Sequence, residues 1–133
     1  MSAALVPELL VTEIEASLRF WRDHVGFQIL YDRPDEGFAY LKLGGAAIML
    51  EERSDVRRNW VTASLKAPYG RGINFQIECN DVAAAAARFT AADWSFFLPM
   101  EEKTYQTGTK ETRVRQFIVQ DPDGYLVRLS ETL

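Results

Sequence analysis

Residues 120–130 read Gln120-Asp121-Pro122-Asp123-Gly124-Tyr125-Leu126-Val127-Arg128-Leu129-Ser130. Asp121-Pro122-Asp123-Gly124 has the residues a type I turn favours, with Asp at i, Pro at i+1 with its φ already set, and Gly at i+3. A strand turns back here. On the returning strand Tyr125, Val127 and Leu129 point to one face, and Leu126, Arg128 and Ser130 to the other. An arginine therefore stands mid-strand on the face opposite the apolar one, where its charge needs a carboxylate, a ligand anion or water.

Working outward from this turn, the same plan occurs twice. Val6–Val11 reads as a strand. Thr12-Glu13-Ile14-Glu15 has the form of a capping box, and Ile14, Leu18, Trp21 and Val25 make one helical stripe that Gly26 closes. Strands follow at Gln28–Asp32, Phe38–Leu43 and Ala46–Glu51, with turns at Pro34-Asp35-Glu36-Gly37 and Gly44-Gly45. After a polar connector over 52–72, Ile73–Cys79 reads as a strand. Asn80 or Asp81 caps a helix through the alanines 83–87, which form helix well and let it approach a sheet closely. Ser95–Leu98, Thr112–Gln120 and Tyr125–Ser130 are the remaining strands, and Pro99–Glu111 between them reads as a mobile flap. The chain is thus one domain of two βαβββ modules, 5–51 and 73–131. Leu9-Leu10-Val11-Thr12-Glu13-Ile14 corresponds faintly to Ile77-Glu78-Cys79-Asn80-Asp81-Val82. The fold class is α+β, with curved mixed sheets forming a cleft and helices on the outer face.

Composition narrows the function. The 133 residues are 47% hydrophobic and carry a net charge of -4, which suits a soluble domain with a real core and gives no reason to expect nucleic acid or an anionic membrane as partner. No apolar run reaches a membrane span, and the first residues lack a signal-peptide pattern, so a cytoplasmic location is expected. The single cysteine, Cys79, excludes an intrachain disulfide and a cysteine-rich zinc site. His24, the only histidine, flanks the first helix's stripe and reads as a boundary residue. Tyr69-Gly70-Arg71-Gly72 lacks the Lys-Ser/Thr of a phosphate loop. Arg53, Arg57 and Arg58, amid Glu51, Glu52 and Asp55, read as a solvated connector.

Val6-Pro7-Glu8-Leu9-Leu10-Val11, Phe20-Trp21-Arg22-Asp23-His24-Val25-Gly26-Phe27 and Asp121-Pro122-Asp123-Gly124-Tyr125, spaced by the two modules, resemble the vicinal oxygen chelate superfamily of glyoxalase I, bleomycin resistance proteins and extradiol dioxygenases. In that family's metal enzymes each module supplies one ligand from its first strand and one from its last, usually His, Gln or Glu. The matching positions here are Val6, Met49, Asn74 and Arg128. Val6 has no donor, Met49 offers a soft thioether, Asn74 is a poor ligand and Arg128 is a permanent cation, so no metal and no cofactor is expected. The Val-Pro and Phe-Trp pairs resemble the bleomycin resistance proteins most. That implies antibiotic resistance by sequestering a drug, possible bleomycin-like ligands included, in clefts of a homodimer.

Strand alternation puts Glu8 on a face with Val6, Glu51 with Met49, and Gln76 and Glu78 with Asn74. Together with Phe38, Tyr40, Trp60 and Tyr105 as stacking groups, these and Arg128 make the expected ligand-binding set for a cationic, partly aromatic molecule. An ordinary half-exposed sheet face accounts for the carboxylates as well, and core packing accounts for Phe38 and Tyr40. Two other readings stay open. One is a metal-independent lyase or isomerase with Glu8, Glu51 or Glu78 as base and Arg128 steadying an anion; the other is a sensor or partner-binding domain.

Overall fold

The computed structural model describes residues 3–133, which fall into two units that meet between Tyr69 and Gly70. The first contains β1 (Glu8–Val11), α1 (Ile14–Leu18) with a π-helical continuation Arg19–Val25, β2 (Gln28–Arg33), β3 (Phe38–Leu43) and β4 (Ala46–Glu52). The second contains β5 (Asn74–Glu78), α2 (Val82–Ala91), β6 (Phe96–Thr107), β7 (Lys110–Gln120) and β8 (Leu126–Thr132). The sheet orders are β1-β4-β3-β2 and β5-β8-β7-β6. In each, the first strand pairs in parallel with the last and the others are antiparallel. The faint sequence repeat is therefore a repeat of topology, and the fold is α+β with two open, four-stranded mixed sheets.

The helices form where the apolar stripes require them. Leu18, Phe20, Trp21 and Val25 are buried, and α1 lies against β4. Phe20 and Trp21 are sequence neighbours that both become solvent-free, and a π-helical turn lets two adjacent bulky rings face inward where a 3.6-residue turn would splay them. Their rings meet edge to face at 5.3 Å, and Trp21 meets Phe27 in the same way at 5.8 Å. Burying side chains of this size contributes roughly 2–3 kcal/mol each in transfer free energy. Gly26, at φ 109°, ends the helix, and the Gly26 and Phe27 amides both donate to the Trp21 carbonyl. In the second unit α2 packs on β7 and β8, with Val82, Ala85 and Phe89 buried and Phe89 edge-on to Phe117 at 5.8 Å.

Three expectations need correction. The first helix begins one residue later than expected: its N-cap residue is Glu13, whose own side chain makes no capping bond. Instead the Ile14 amide donates to Glu52 Oε2 at 3.0 Å, from the end of β4. The second unit repeats the device, since the Val82 amide donates to Glu131 Oε1 of β8 at 2.9 Å, beside the Asp81 side chain that accepts from Ala84. In both units a carboxylate on the last strand thus meets the positive end of the helix. Pro99–Glu111 is also no flap. It is the end of a long antiparallel hairpin, with Glu101 to Thr107 paired to Gln116 to Lys110 and Gly108 at φ 71° in its turn. Backbone amides that would otherwise stay unpaired close this ladder. Finally, β6 runs on from its expected end at Leu98 to Thr107, and the other strands begin or end up to two residues from the expected limits, with β1 starting at Glu8 and β8 running to Thr132.

The Asp121 turn is as expected. The Gly124 amide donates to the Asp121 carbonyl at 3.0 Å. The carboxylate Oδ1 of Asp121, a residue only 4% exposed, accepts the amides of Asp123, Gly124 and Tyr125. Three donors offset the desolvation of this buried carboxylate.

Candidate functional site

Each sheet has one face against its helix and one face turned away, and the pairing register fixes which residues share the latter. In the first unit Glu8 pairs with Met49, Met49 with Tyr40 and Tyr40 with Tyr31; one step on, Leu10 pairs with Glu51, Glu51 with Phe38 and Phe38 with Arg33. Glu8, Phe38, Tyr40, Met49 and Glu51 therefore do lie on one face. Tyr31 and Arg33 join them through a β-bulge between Ile29 and Tyr31, because one extra residue moves every later side chain of β2 to the other face.

The consequence is an aromatic column. Tyr31 stacks on Tyr40 with centroids 5.1 Å apart and planes 16° from parallel, and lies 6.0 Å from Phe38 at 24°. The Arg33 guanidinium carbon stands 3.9 Å from the Phe38 centroid, while its Nε is 3.1 Å from Glu36. Phe38 and Tyr40 are buried and share a small apolar cluster with Ala47, Ala3, Val6 and Met49, so for these two packing is their first role. Tyr31, the ring that touches both of the others, is 47% exposed and is the solvent-facing member of the column. Strands about 4.8 Å apart put Glu8 roughly 10 Å from Tyr40 and 14 Å from Tyr31. Burial raises the Glu8 carboxyl above its ordinary value, the nearby Glu51 charge raises it further, and Arg33 opposes both.

In the second unit the outward face reads Asn74, Leu126, Gln120 across one row, then Gln76, Arg128, Ile118, then Glu78, Ser130, Gln116. Asn74, Gln76 and Glu78 are exposed. Arg128 is half-buried and its Nε is shut off from solvent with no hydrogen-bond partner. Gln116, 3% exposed, donates through Nε2 to both Glu101 Oε2 and the Tyr105 hydroxyl, each at 2.8 Å. Tyr105 thus belongs to a polar cluster on the hairpin. Trp60 is elsewhere: it lies in the connector, 74% exposed, with the Arg58 guanidinium 5.0 Å from its ring, and shares no sheet face with the other candidates.

Tyr31, Arg33, Glu101 and Gln116 were not among the sequence candidates. Gln116 was detectable as a lone amide in the apolar run from Val114 to Val119. Tyr31 and Arg33 were not, since plain alternation puts them with Ile29 on the helix side.

The four positions that hold metal in the family's enzymes can be tested on their surroundings. Val6 and Met49 sit in the apolar cluster, Asn74 is exposed, and Arg128 brings a positive charge. This donor set does not fit a divalent cation. Among the described residues there is also no group of three or more His, Cys, Asp or Glu placed to hold one. Cys79 is a poor nucleophile as well, because burial, and then the Glu131 charge, raise its thiol pKa.

Two open βαβββ sheets, each with its first strand parallel to its last, match a sequence model described as the Glyoxalase/Bleomycin resistance protein/Dioxygenase superfamily over residues 4–129. The chain belongs to this superfamily. A superfamily member from Vibrio splendidus 12B01 is 38% identical over 95% of both chains, with a TM-score of 0.43. The crystal structure of TioX from Micromonospora sp. ML1 is 23% identical over all of both chains, with a TM-score of 0.71. Lactoylglutathione lyase from Agrobacterium tumefaciens is 19% identical over 98% of this chain and 94% of its own, with a TM-score of 0.63. The last two establish likeness of fold alone. No curated protein matches the chain. Among the described residues no helix is long and apolar enough to cross a membrane.

Proposed function

We propose that this superfamily member is a metal-free binding protein that sequesters a flat, aromatic, cationic small molecule, as a homodimer, in the manner the bleomycin resistance resemblance implies. The observation that carries this reading is the stacking of the half-exposed Tyr31 against both Tyr40 and Phe38. A flat cation, the Arg33 guanidinium, already rests on it, which is the geometry a cationic aromatic ligand would extend. Glu8 and Glu51 on the same face supply negative charge whose own crowding is relieved when a cation arrives.

Calorimetric titration of bleomycin into wild type, Tyr31→Ala, Glu8→Gln and Arg128→Ala tests it. Tyr31→Ala is expected to weaken binding about tenfold, the loss of one stacking partner, and Arg128→Ala to bind as well or better. Equal affinity for wild type and Tyr31→Ala would refute the column's role. Sedimentation is expected to give twice the 15.1 kDa chain mass, because open sheets leave strand edges that a second copy covers.

A second reading, a metal-independent lyase or isomerase, is favoured by one observation: the solvent-shielded, unpartnered Nε of Arg128. A half-buried guanidinium with a free donor would steady a developing oxyanion, with Glu78 on the same face as base. On that reading the substrate is an acid and Arg128→Ala lowers kcat/KM about a hundredfold.

A further inference from the structure

The connector after β4 borders a half-open pocket of about 480 Å³, lined by Arg53, Ser54, Asp55, Arg57 and Asn59 on its polar side. We propose that this pocket is a binding site for a small organic acid, an oxyanion head group on a short apolar body, held by Arg53 and Arg57.

The polar groups are arranged as donors. Arg57 Nε is shut off from solvent and has no hydrogen-bond partner. Arg53 donates through one terminal nitrogen to the Tyr69 hydroxyl at 3.3 Å, which fixes the guanidinium while leaving its other donors. The Ser54 hydroxyl accepts the amides of Val56 and Arg57 at 3.1 and 3.0 Å. With both acceptor sites filled, its hydrogen is left to donate. Asn59 Oδ1 accepts the Ser54 amide at 2.9 Å and its Nδ2 donates to the Arg58 carbonyl at 3.3 Å, so this side chain braces the wall. Asp55 is the one carboxylate in the lining, and among the described residues neither arginine forms an ion pair with it or with any other acid. The lining thus holds two guanidiniums against one exposed carboxylate, with Glu52 beside Arg57 at Gly37 as a further acid nearby.

The partly desolvated Arg57 guanidinium, with the exposed Arg53 beside it, matches carboxylate and phosphate oxygens, which guanidiniums often bind two at a time. The volume falls among small-molecule clefts, far above what a bare ion fills. Leu10, Val61 and Leu65 give the remaining wall its apolar character, so a ring or short alkyl group completes the ligand. Arg53 and Arg57, two of the connector's basic residues, thereby border one space.

The test is an amide-resolved NMR titration of the full chain with phenylacetate, phenyl phosphate and, as the cationic control, benzylamine. One or both acids are expected to shift amides within residues 53–65 with a dissociation constant on the order of 1 mM, and the tighter of the two assigns the head group. Arg57→Gln is expected to weaken that binding about tenfold, with partial recovery in Arg57→Lys. Should Arg57→Gln fail to fold, Ser64→Phe fills the pocket from an exposed rim position without removing either arginine and is expected to abolish the shifts. Tyr31→Ala leaves this titration unchanged, so its outcome is separate from that of the sheet-face reading. Absence of shifts from both acids at about 10 mM, equal shifts from benzylamine, or undiminished binding in Ser64→Phe overturns the proposal.

Discussion

Glu8→Gln is expected to make the protein more stable and a poorer binder at once. In the fold the Glu8 carboxyl is raised from its ordinary value of 4.5, first by burial and then by the Glu51 charge, with Arg33 acting against both. A carboxyl whose folded pKa exceeds its unfolded one binds more protons when folded, so stability falls as pH rises between the two values and stays lowered above them. Glu8 is largely open to solvent, and after discounting for screening the penalty at pH 7 is no more than about 0.5 kcal/mol. Removing the charge should raise Tm by about 1–3 °C at pH 7, and the gain should vanish below about pH 4, where the carboxyl is protonated in both states. Affinity for a cationic ligand should meanwhile drop about fivefold, near 1 kcal/mol for a partly solvated pair, and high salt should shrink that difference. Paired melts at pH 4 and pH 7, with titrations of bleomycin in low and high salt, measure both signs. A lower Tm at pH 7 would show that the Glu8 carboxylate is well satisfied and would refute the crowding argument.

The remaining expectations concern the frame around these faces. Glu52→Ala and Glu131→Ala should each cost about 1 kcal/mol in urea unfolding, because each removes the carboxylate that accepts a first-turn helix amide; the Gln variants, which keep the acceptor, should lose less. Gly37→Ala, at φ 62° with its new Cβ 2.8 Å from the Glu52 Cβ, should destabilise more than Gly44→Ala, at φ 57° with nothing within 4 Å. The excess, about 1–2 kcal/mol, isolates the steric contact from backbone strain shared by both. Elemental analysis of the purified protein should find no stoichiometric divalent metal, given Val6, Met49, Asn74 and Arg128 at the family's ligand positions; one firmly bound transition metal per chain would refute that matching of positions.

What the sequence determined by itself is the set of features encoded over a few residues. Phe38–Leu43 was bounded correctly because Gly37 and Gly44-Gly45 flank it, and the Asp121-Pro122-Asp123-Gly124 turn because each residue suits its own position. The doubled order of elements followed from repeated periods, and the shared face of Glu8, Met49 and Glu51, like that of Asn74, Gln76 and Glu78, from strand alternation alone. Tertiary structure decided whatever depends on register between distant segments. Distant acceptors for the first amides of both helices came from Glu52 and Glu131, 38 and 49 residues away, while the local Asp81 cap of the second was legible in the sequence. A single bulged residue in β2 carried Tyr31 and Arg33 onto the open face and built the aromatic column. Gln116 found Glu101 and Tyr105 only because the supposed flap is a paired hairpin. Arg53 and Arg57 likewise border one pocket only once the chain has folded back on Leu10. Short-range patterns are written in the period of each strand and helix, whereas a side chain's partner across a sheet changes with every one-residue slip, and that slip is settled by the packing of the whole unit.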